Sequence, residues 1–406
     1  MKVVAIISEY NPFHLGHEYQ IRKIREEFGQ DTAIIAIMSG NFTERGDIAI
    51  ADKFLRAKCA VLCGVNLVLE LPFPYSVSSA ELFAKAGVAI ADSLGIVDYI
   101  SFGSESGDIK SLTKIATNMQ NEKYQQELSS FITDKDNSAI GYPKACECVY
   151  KHVFSSDISD VFTSNNILAL EYIKALNALN SKIMPHTIKR SGTSYSCEKV
   201  ESGDLPSATA VREIMRQNFD SAREYIPNSA FLQLQAAYHN AELPTSEEAL
   251  NAAVISNFRL NLPKVITDIH DTEGGLYNRL LDASYDADSI SSLIALTETK
   301  KYTKARIKRS IWYSFFGVTS SDVKATPEYT QALALDNLGR QLLKGMKKTA
   351  SVKILTKPTA TDDLPISAVR QKRLSDTADS IFQLTKPSSH SGRYSLLQSP
   401  FVKATD

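Results

Sequence analysis

The chain is poor in cysteine, has a single tryptophan, and has almost no net charge: five cysteines and a formal charge of −1 in 406 residues. An odd cysteine count in a chain this long excludes a disulfide scaffold and predicts free thiols in a reducing compartment, the cytoplasm. Cys59 and Cys63 stand four apart on an expected helix, Cys146 and Cys148 make only a C-x-C pair, and Cys197 is isolated. None of this has the spacing of a zinc site, and no metal-ligating set is expected. A charge near zero argues against general coating of nucleic acid. Apolar runs never exceed strand length, so no membrane span is expected. Met1–Ser8 meets Glu9, Asn11, Pro12 and His14 without a small-residue cleavage site, which predicts a first strand and not a secretion signal.

What is present is an ordinary globular composition, 43% hydrophobic and 22% charged, in a chain long enough for two or three domains. Strand and helix patterns alternate over the first 105 residues. Apolar runs at Val3–Ser8, Thr32–Met38, Leu67–Leu71 and Val97–Phe102 are separated by helical spacing at Gly16–Phe28, Ala51–Cys63 and Ala80–Leu94. Continuous apolar strands between helices predict a parallel sheet covered on both faces, a doubly wound α/β domain. Residues 108–180 read as mostly helical with a pause at Ser155–Asp160, Ile183–Ile188 as a further strand, and Asp204–Asn218 as a helix with Pro206 in its first turn. Residues 246–348 read as helical and Ser351–Leu355 as a returning strand, while the Ser-rich tail after Leu384 reads as loosely ordered. The expected division is a doubly wound domain at 1–225 and a mainly helical region at 226–406 with a short returning strand and a flexible tail.

The chemistry concentrates at His14-Leu15-Gly16-His17, just after the first strand. Ligands of parallel α/β sheets bind at the carboxyl ends of strands, and a helix start offers N–H groups and a positive dipole end to phosphate. Gly16 lets a nucleotide approach, and two histidines three apart can donate to charge developing on a phosphoryl group. The competing reading is two surface histidines on an amphipathic helix. A second helix start, Ser207-Ala208-Thr209-Ala210-Val211-Arg212, offers two hydroxyls and a delocalised cation to phosphate, or is simply a capped helix.

These two motifs resemble the HxGH and Ser-Ser-Thr-x-Ile-Arg signatures of the nucleotidylyltransferase superfamily, the second departing at Ala208 and Val211. A narrower resemblance rests on Glu9-Tyr10-Asn11-Pro12-Phe13-His14, Met38-Ser39-Gly40-Asn41-Phe42 with Arg45-Gly46, Glu70-Leu71-Pro72, Ser79-Ala80-Glu81, Phe102-Gly103-Ser104-Glu105, Asn165-Asn166-Ile167-Leu168, Lys189-Arg190 and Lys301-Tyr302-Thr303. Spread from residue 3 to about 355, these are similar to the bacterial tRNA(Met) cytidine acetate ligase family. The resemblance implies a Rossmann-like HxGH core that activates acetate with ATP as acetyl-adenylate. The acetyl group then passes to N4 of the wobble cytidine of elongator tRNA(Met), with release of AMP and pyrophosphate and with Mg2+ expected on the departing pyrophosphate. It implies catalytic roles for His14 and His17. It also implies ATP contacts at Ile7, Ser8, Glu9, Tyr10, Asn11, Pro12, Phe13, His14, Leu15, Gly16, His17, Glu18, Tyr19, Gln20, Gly103, Asn165 and Arg190, with Ser207, Thr209 and Arg212 from the second signature. Asn166 competes with Asn165. Ser164 replaces the proline common before the paired asparagines, and Ser191–Tyr195 departs from the aliphatic residue common after the Lys-Arg pair.

The loop Met38–Ile48 brings Asn41, Arg45 and Asp47 to the carboxyl end of the second strand; Arg45 either holds an anion or serves the loop's own hydrogen bonds. Between Lys300 and Lys348 eleven basic residues stand against three acidic ones, a local balance of +8. Charge alone favours a solvated helix face at Lys300–Arg309. The resemblance reverses that and makes Lys301, Lys304, Arg306, Lys308 and Arg309 tRNA contacts, with Tyr302 and Trp312 available for base stacking. Two other functions fit fewer residues: an adenylyltransferase for a small molecule, and a non-catalytic tRNA-binding protein with a relic nucleotide site.

Overall fold

The first four strands form because their apolar runs are buried from both sides, whereas the fifth is a more polar, half-exposed edge strand fixed by its pairing with the fourth. In the computed structural model, β1 (Val3–Ser8), β2 (Ala33–Ser39), β3 (Leu67–Leu71), β4 (Tyr99–Ser104) and β5 (Met184–Lys189) lie parallel in the order β5-β4-β1-β2-β3. The structure describes residues 1–134, 137, 140–156, 158, 161–190, 207–260, 268–361, 364–388 and 390–404. Cys197, Pro206 and the Ser191–Tyr195 departure lie outside them.

Alternate residues of each strand enter opposite layers, as a period of two requires. Ala5 and Ile7 face α3 (Ala80–Ser93) and the helices of the β4–β5 crossover. These are α4 (Ile109–Met119), α5 (Glu122–Thr133), α6 (Tyr142–Phe154) and α7 (Ser164–Ala178). Val4 and Ile6 face α1 (Leu15–Phe28), α2 (Lys53–Leu62), α8 (Ala208–Gln217) and α9 (Asn228–His239). The chain winds from β1 through β2 to β3, then crosses back to place β4 on the other side of β1. The strand order therefore reverses between β1 and β4, and the crevice at their carboxyl ends is the ligand position such a sheet offers.

A separate core packs α10 (Asn251–Arg259), α11 (Leu276–Asp286), α12 (Ile290–Thr297) and α13 (Lys304–Phe316) around Trp312 and Phe258. It is joined to the sheet domain by Phe42 and Phe73, which contribute rings to that same core. After α14 (Ser320–Lys324) comes an unexpected strand. β6 (Tyr329–Leu335), inside the stretch read as helical, pairs antiparallel with β3. Its Ala-Leu-Ala-Leu sequence suits a helix as well as a strand; burial of all seven positions decides the outcome.

α15 (Asn337–Met346) then starts at the amino ends of the parallel strands, since Leu335 is opposite Leu67. β7 (Lys353–Leu355), the expected returning strand, pairs with β6. α16 (Ile366–Phe382) packs on the helical core and α17 (Tyr394–Leu397) on α16. The tail is not loose to its end: β8 (Phe401–Val402) pairs with β6. Among the described residues no helix is long and apolar enough to cross a membrane.

Candidate active site

A cavity of about 1010 Å3 opens at the β1–β4 switch point, at the upper end of the ~300–1,000 Å3 range of small-molecule sites. Its wall takes Ile7, Ser8, Glu9, Tyr10, Asn11, His14, Gly16, His17, Tyr19 and Gln20 from β1, the following loop and α1. Gly103 follows from β4, Asn165 from α7 and Arg190 from the end of β5. Pro12, Phe13, Leu15, Glu18, Ser207, Thr209 and Arg212 are not on that wall.

The two histidines cap their own helix. His14 is the N-cap of α1, and its Nδ1 accepts from the Gly16 N–H at 3.0 Å. His17 Nδ1 accepts from the His14 N–H at 3.1 Å, completing a reciprocal capping box. An imidazole whose Nδ1 accepts carries its proton on Nε2 when neutral, so both rings are Nε2–H donors. They stay neutral. Burial, then Arg190 and Arg212, pushes His14 down to about 3. Burial, then His14 and Arg190, holds His17 well below the usual imidazole range.

Three N–H groups of the helix start, which the sequence suggested for phosphate, are engaged within the cap. Gly16 donates to the His14 side chain, and His17 and Glu18 donate to the His14 carbonyl. Gly16 is also explained differently: a Cβ there would stand 2.8 Å from His14 Cε1, so glycine makes room for the ring. What faces the cavity is a pair of imidazole donors on the positive end of a helix.

Elsewhere the geometry separates the candidates. Asn165 lines the cavity and donates from Nδ2 to Glu105 Oε1 at 2.7 Å. Asn166 is buried; its Oδ1 accepts from the Glu105 N–H, and its own N–H donates to Glu105 Oε2. Glu105 thus binds the start of α7 to the end of β4. Gly103 lies against Arg190, with 3.1 Å from a hypothetical Cβ to Arg190 Cγ. Ser207 is buried and caps α8 by accepting from the Ala210 N–H, as an ordinary capped helix would. Arg212 Nη1 donates to the Asn11 carbonyl at 2.9 Å and Nη2 to Thr209 Oγ1 at 3.1 Å, bracing the loop behind the histidines.

The Met38–Ile48 loop divides between cavity and core. Glu44 and Arg45 line the cavity. Asn41 does not: it is buried, donating to Asp379 Oδ1 and accepting from the Lys53 N–H, both at 2.8 Å. The loop is seated on α13, where Lys308 Nζ donates to Asp47 Oδ1 at 2.7 Å and Trp312 Nε1 to the Gly46 carbonyl at 2.7 Å. Trp312 and Tyr302 are core residues, and the expectation that they stack on bases fails. The sequence pattern of cations between aromatics was one inward and one outward helix face.

The basic candidates sort accordingly. Lys301, Arg306 and Arg309 line the cavity, with Lys300 beside them. Arg306 Nε also pairs with Asp271 at 2.8 Å. Lys304 is exposed, 69% for its side chain, and does not line the cavity. The remainder of the +8 stretch, Arg340 to Lys348, sits at the opposite end of the sheet on and just after α15. There Thr349 bonds the Leu94 carbonyl.

Three features of the wall were not anticipated: the ends of α5 and α6, Tyr172 from α7, and the carboxylates Glu9 and Glu44 side by side. Glu44 N–H donates to Glu9 Oε1 at 2.9 Å. Burial, against that hydrogen bond and Arg212, raises Glu9 above the usual carboxylate range. Burial, opposed by Arg309 and reinforced by Glu9, lifts Glu44 to about 7. Among the described residues Cys59, Cys63, Cys146 and Cys148 are free thiols, and no group of three or more His, Cys, Asp or Glu is placed to hold a metal.

The sequence profile of the HIGH Nucleotidyl Transferase family matches residues 1–395. The tRNA(Met) cytidine acetate ligase of Thermoanaerobacter sp. (strain X514) is 36% identical over 364 residues, 88% of this chain and 89% of that one. The apo crystal structure of Thermotoga maritima TmcAL superposes with a TM-score of 0.91 at 30% identity, covering 100% of both chains. The same protein bound with alpha-thio ATP gives 0.89 at 29% identity, again over 100% of both.

Proposed function

This chain belongs to the HIGH nucleotidyl transferase family and to the tRNA(Met) cytidine acetate ligases, and from that membership we propose that it uses ATP to join acetate to a cytidine of tRNA(Met). The single observation that carries the reading is the pair of neutral Nε2–H imidazoles at the helix start of the switch-point cavity. In the first step an acetate oxygen attacks the α-phosphorus of ATP and pyrophosphate leaves. His14 and His17 donate to the phosphoryl oxygens on which charge builds, and being fixed by their own cap they need no reorganisation. Arg190 on the wall and Arg212 behind the loop add positive potential. Asn165, with Nδ2 committed to Glu105, has Oδ1 left to accept from the adenine amine. Mg2+ in this reading enters with the triphosphate, which supplies most of its oxygen ligands. The acyl phosphate so formed makes a carboxylate into an acyl donor.

In the second step N4 of the wobble cytidine takes the acetyl group and AMP leaves. Residues 1–225 supply the ATP half, and 226–406 the side facing tRNA, where Lys301 and Arg306 border the cavity, Lys304 is exposed beside it, and Lys308 and Arg309 hold the Met38–Ile48 loop, Arg309 also lining the cavity. Such a protein works in the cytoplasm. Purified protein given ATP, labelled acetate and tRNA(Met) should produce AMP and N4-acetylcytidine. AMP without any dependence on acetate, or no acetylcytidine, would sink the reading; acetate-independent adenylation of another acceptor would point to the small-molecule adenylyltransferase instead.

A further inference from the structure

We propose that the Glu9 carboxylate is the group that receives the cytidine N4 amine and takes its proton during acetyl transfer. The inference rests on the function proposed above and names a residue for its second step.

The argument starts from an electrostatic mismatch. ATP and acetate are anions, and the wall that meets them is cationic, with Arg45, Lys189, Arg190, Lys300, Lys301 and Arg309 all on it. Yet Glu9 lies in the same wall, in the loop leading from β1 to His14, with Glu44 beside it. A carboxylate there repels phosphate. It can serve only a donor. ATP has donors in its adenine amine, assigned above to Asn165, and its ribose hydroxyls, but the group that must lose a proton in acetyl transfer is the exocyclic amine of cytosine, the natural partner of Glu or Asp.

The carboxylate is also held in place for this. Its Oε1 is occupied by the Glu44 N–H, which leaves Oε2 for a ligand. Its main-chain carbonyl accepts from Arg56 Nη1 at 2.5 Å. The same buried guanidinium holds the carbonyls of Ser39, Gly40 and Ala51, so Glu9 is fixed to β2 and α2 as well as to β1. The charged groups acting on it are Arg212 from α8, Asp47 from the Met38–Ile48 loop and Arg56 from α2, and the Glu44 carboxyl of the same loop senses it in turn. Tyr172 from α7 also senses it. Burial keeps its proton affinity above that of an ordinary carboxylate, which suits a base near neutral pH.

The step balances without a further reactant. The N4 lone pair forms the N–C bond to the acetyl carbon, and the bond from that carbon to the phosphate oxygen of AMP breaks, its electrons leaving with AMP. One amine proton moves to Glu9 Oε2 and from there to solvent.

The test separates the two half-reactions. Acetyl-adenylate is allowed to form to completion on the enzyme from ATP and labelled acetate, tRNA(Met) is then mixed in, and acetylcytidine is followed in a single turnover. Glu9→Gln keeps the acceptor for the Glu44 N–H and removes the base. Transfer should slow by about 100-fold or more, and Glu9→Asp should recover part of the rate. In the wild type the transfer rate should fall as pH is lowered through the Glu9 ionisation, and Glu9→Gln should lose that limb. Transfer by Glu9→Gln within threefold of wild type would overturn the proposal. So would a wild-type transfer rate with no acid limb at any pH at which the enzyme stays folded, which needs no variant to fold. If Glu9→Gln instead raises the Mg2+ needed for adenylation and transfers normally, the carboxylate serves the metal and the proposal is wrong. A wild-type enzyme that makes no acetyl-adenylate would refute the function and not this residue.

Discussion

Lys53 Nζ lies 2.6 Å from Asp379 Oδ2, 326 residues further along the chain, and 2.7 Å from Glu70 Oε1, so one buried ammonium joins α16 to the third strand of the sheet. Asn41 is the fourth member, bonded to both Asp379 and the Lys53 N–H. Gln383 Nε2 donates to Asp52 Oδ2 at 3.3 Å next door, and Lys386 approaches the same carboxylate at 3.6 Å. The end of the chain therefore forms part of the floor under the Met38–Ile48 loop, whose upper side carries Glu44 and Arg45 into the cavity. Burial raises Asp379 against the pull of Lys53, while Lys53, despite burial, is held protonated by Asp379 and Glu70.

Lys53→Met should therefore lower stability by about 3–5 kcal/mol, because it leaves two buried carboxylates without a counter-charge. Urea unfolding measures the loss. Acid should partly restore the variant. Its buried carboxyls bind protons more tightly folded than unfolded, so stability rises as pH falls from 8 towards 5. A neutral Lys53→Met would mean that the ammonium does not hold these groups.

This network also shows what was legible in the sequence and what was not. The β1–β4 strands and the helices between them could be read because each apolar run is buried on both faces, a local signal that the half-exposed edge strand β5 lacks. HxGH could be read because its two histidines and glycine are adjacent. Asn41, Glu70 and Asp379 could not be placed: Asn41 suggested a ligand contact, but its partner is 338 residues away. β6 was hidden for the same reason, since its burial and its pairing with β3, both set by residues distant in the chain, separate it from a helix. Glu9 was visible only as part of a motif; the neighbour that gives it meaning, Glu44, comes from another strand's loop.

Gly103→Ala tests the β4 edge of the site. The added methyl would sit 3.1 Å from Arg190 Cγ and 3.4 Å from Cδ, displacing the guanidinium and not the backbone. ATP affinity should weaken by about tenfold, equivalent to ~1.4 kcal/mol, with the unfolding midpoint nearly unchanged. Unaltered ATP binding by calorimetry would remove Arg190 from the nucleotide contacts.

The exposed and buried sides of α13 and the turn before it should respond differently. Lys301→Ala with Lys304→Ala removes cations at the cavity mouth and on the exposed face. It should weaken tRNA(Met) binding and flatten the log–log salt dependence by about one to two. Trp312→Ala removes a buried indole and its bond to Gly46. It should cost about 3–5 kcal/mol of stability and leave that salt slope unchanged. Filter binding across a salt series distinguishes them; equal slopes in wild type and the double lysine variant would place the tRNA elsewhere.

His14→Asn should separate what the imidazole does for the helix from what it does for ATP. Asparagine is a good N-cap and can accept from the Gly16 N–H, so α1 should survive. It cannot present the Nε2–H, and AMP formation should fall by about 10²–10³, the effect of losing one donor to a developing oxyanion. The same variant should be less sensitive to acid. His14 resists protonation in the folded chain until about pH 3, whereas an unfolded imidazole takes a proton near pH 6.5. Between those values the unfolded state binds more protons, so wild-type stability falls as pH drops, by up to ~1.4 kcal/mol per pH unit for each such histidine. Replacing His14 removes one of the two contributions, and urea midpoints at pH 7 and pH 5 should lie closer together than in wild type. If they separate as far as before, His14 is not held neutral. Its role as a fixed hydrogen-bond donor, and with it the account of the first step, would then have to pass to His17 alone.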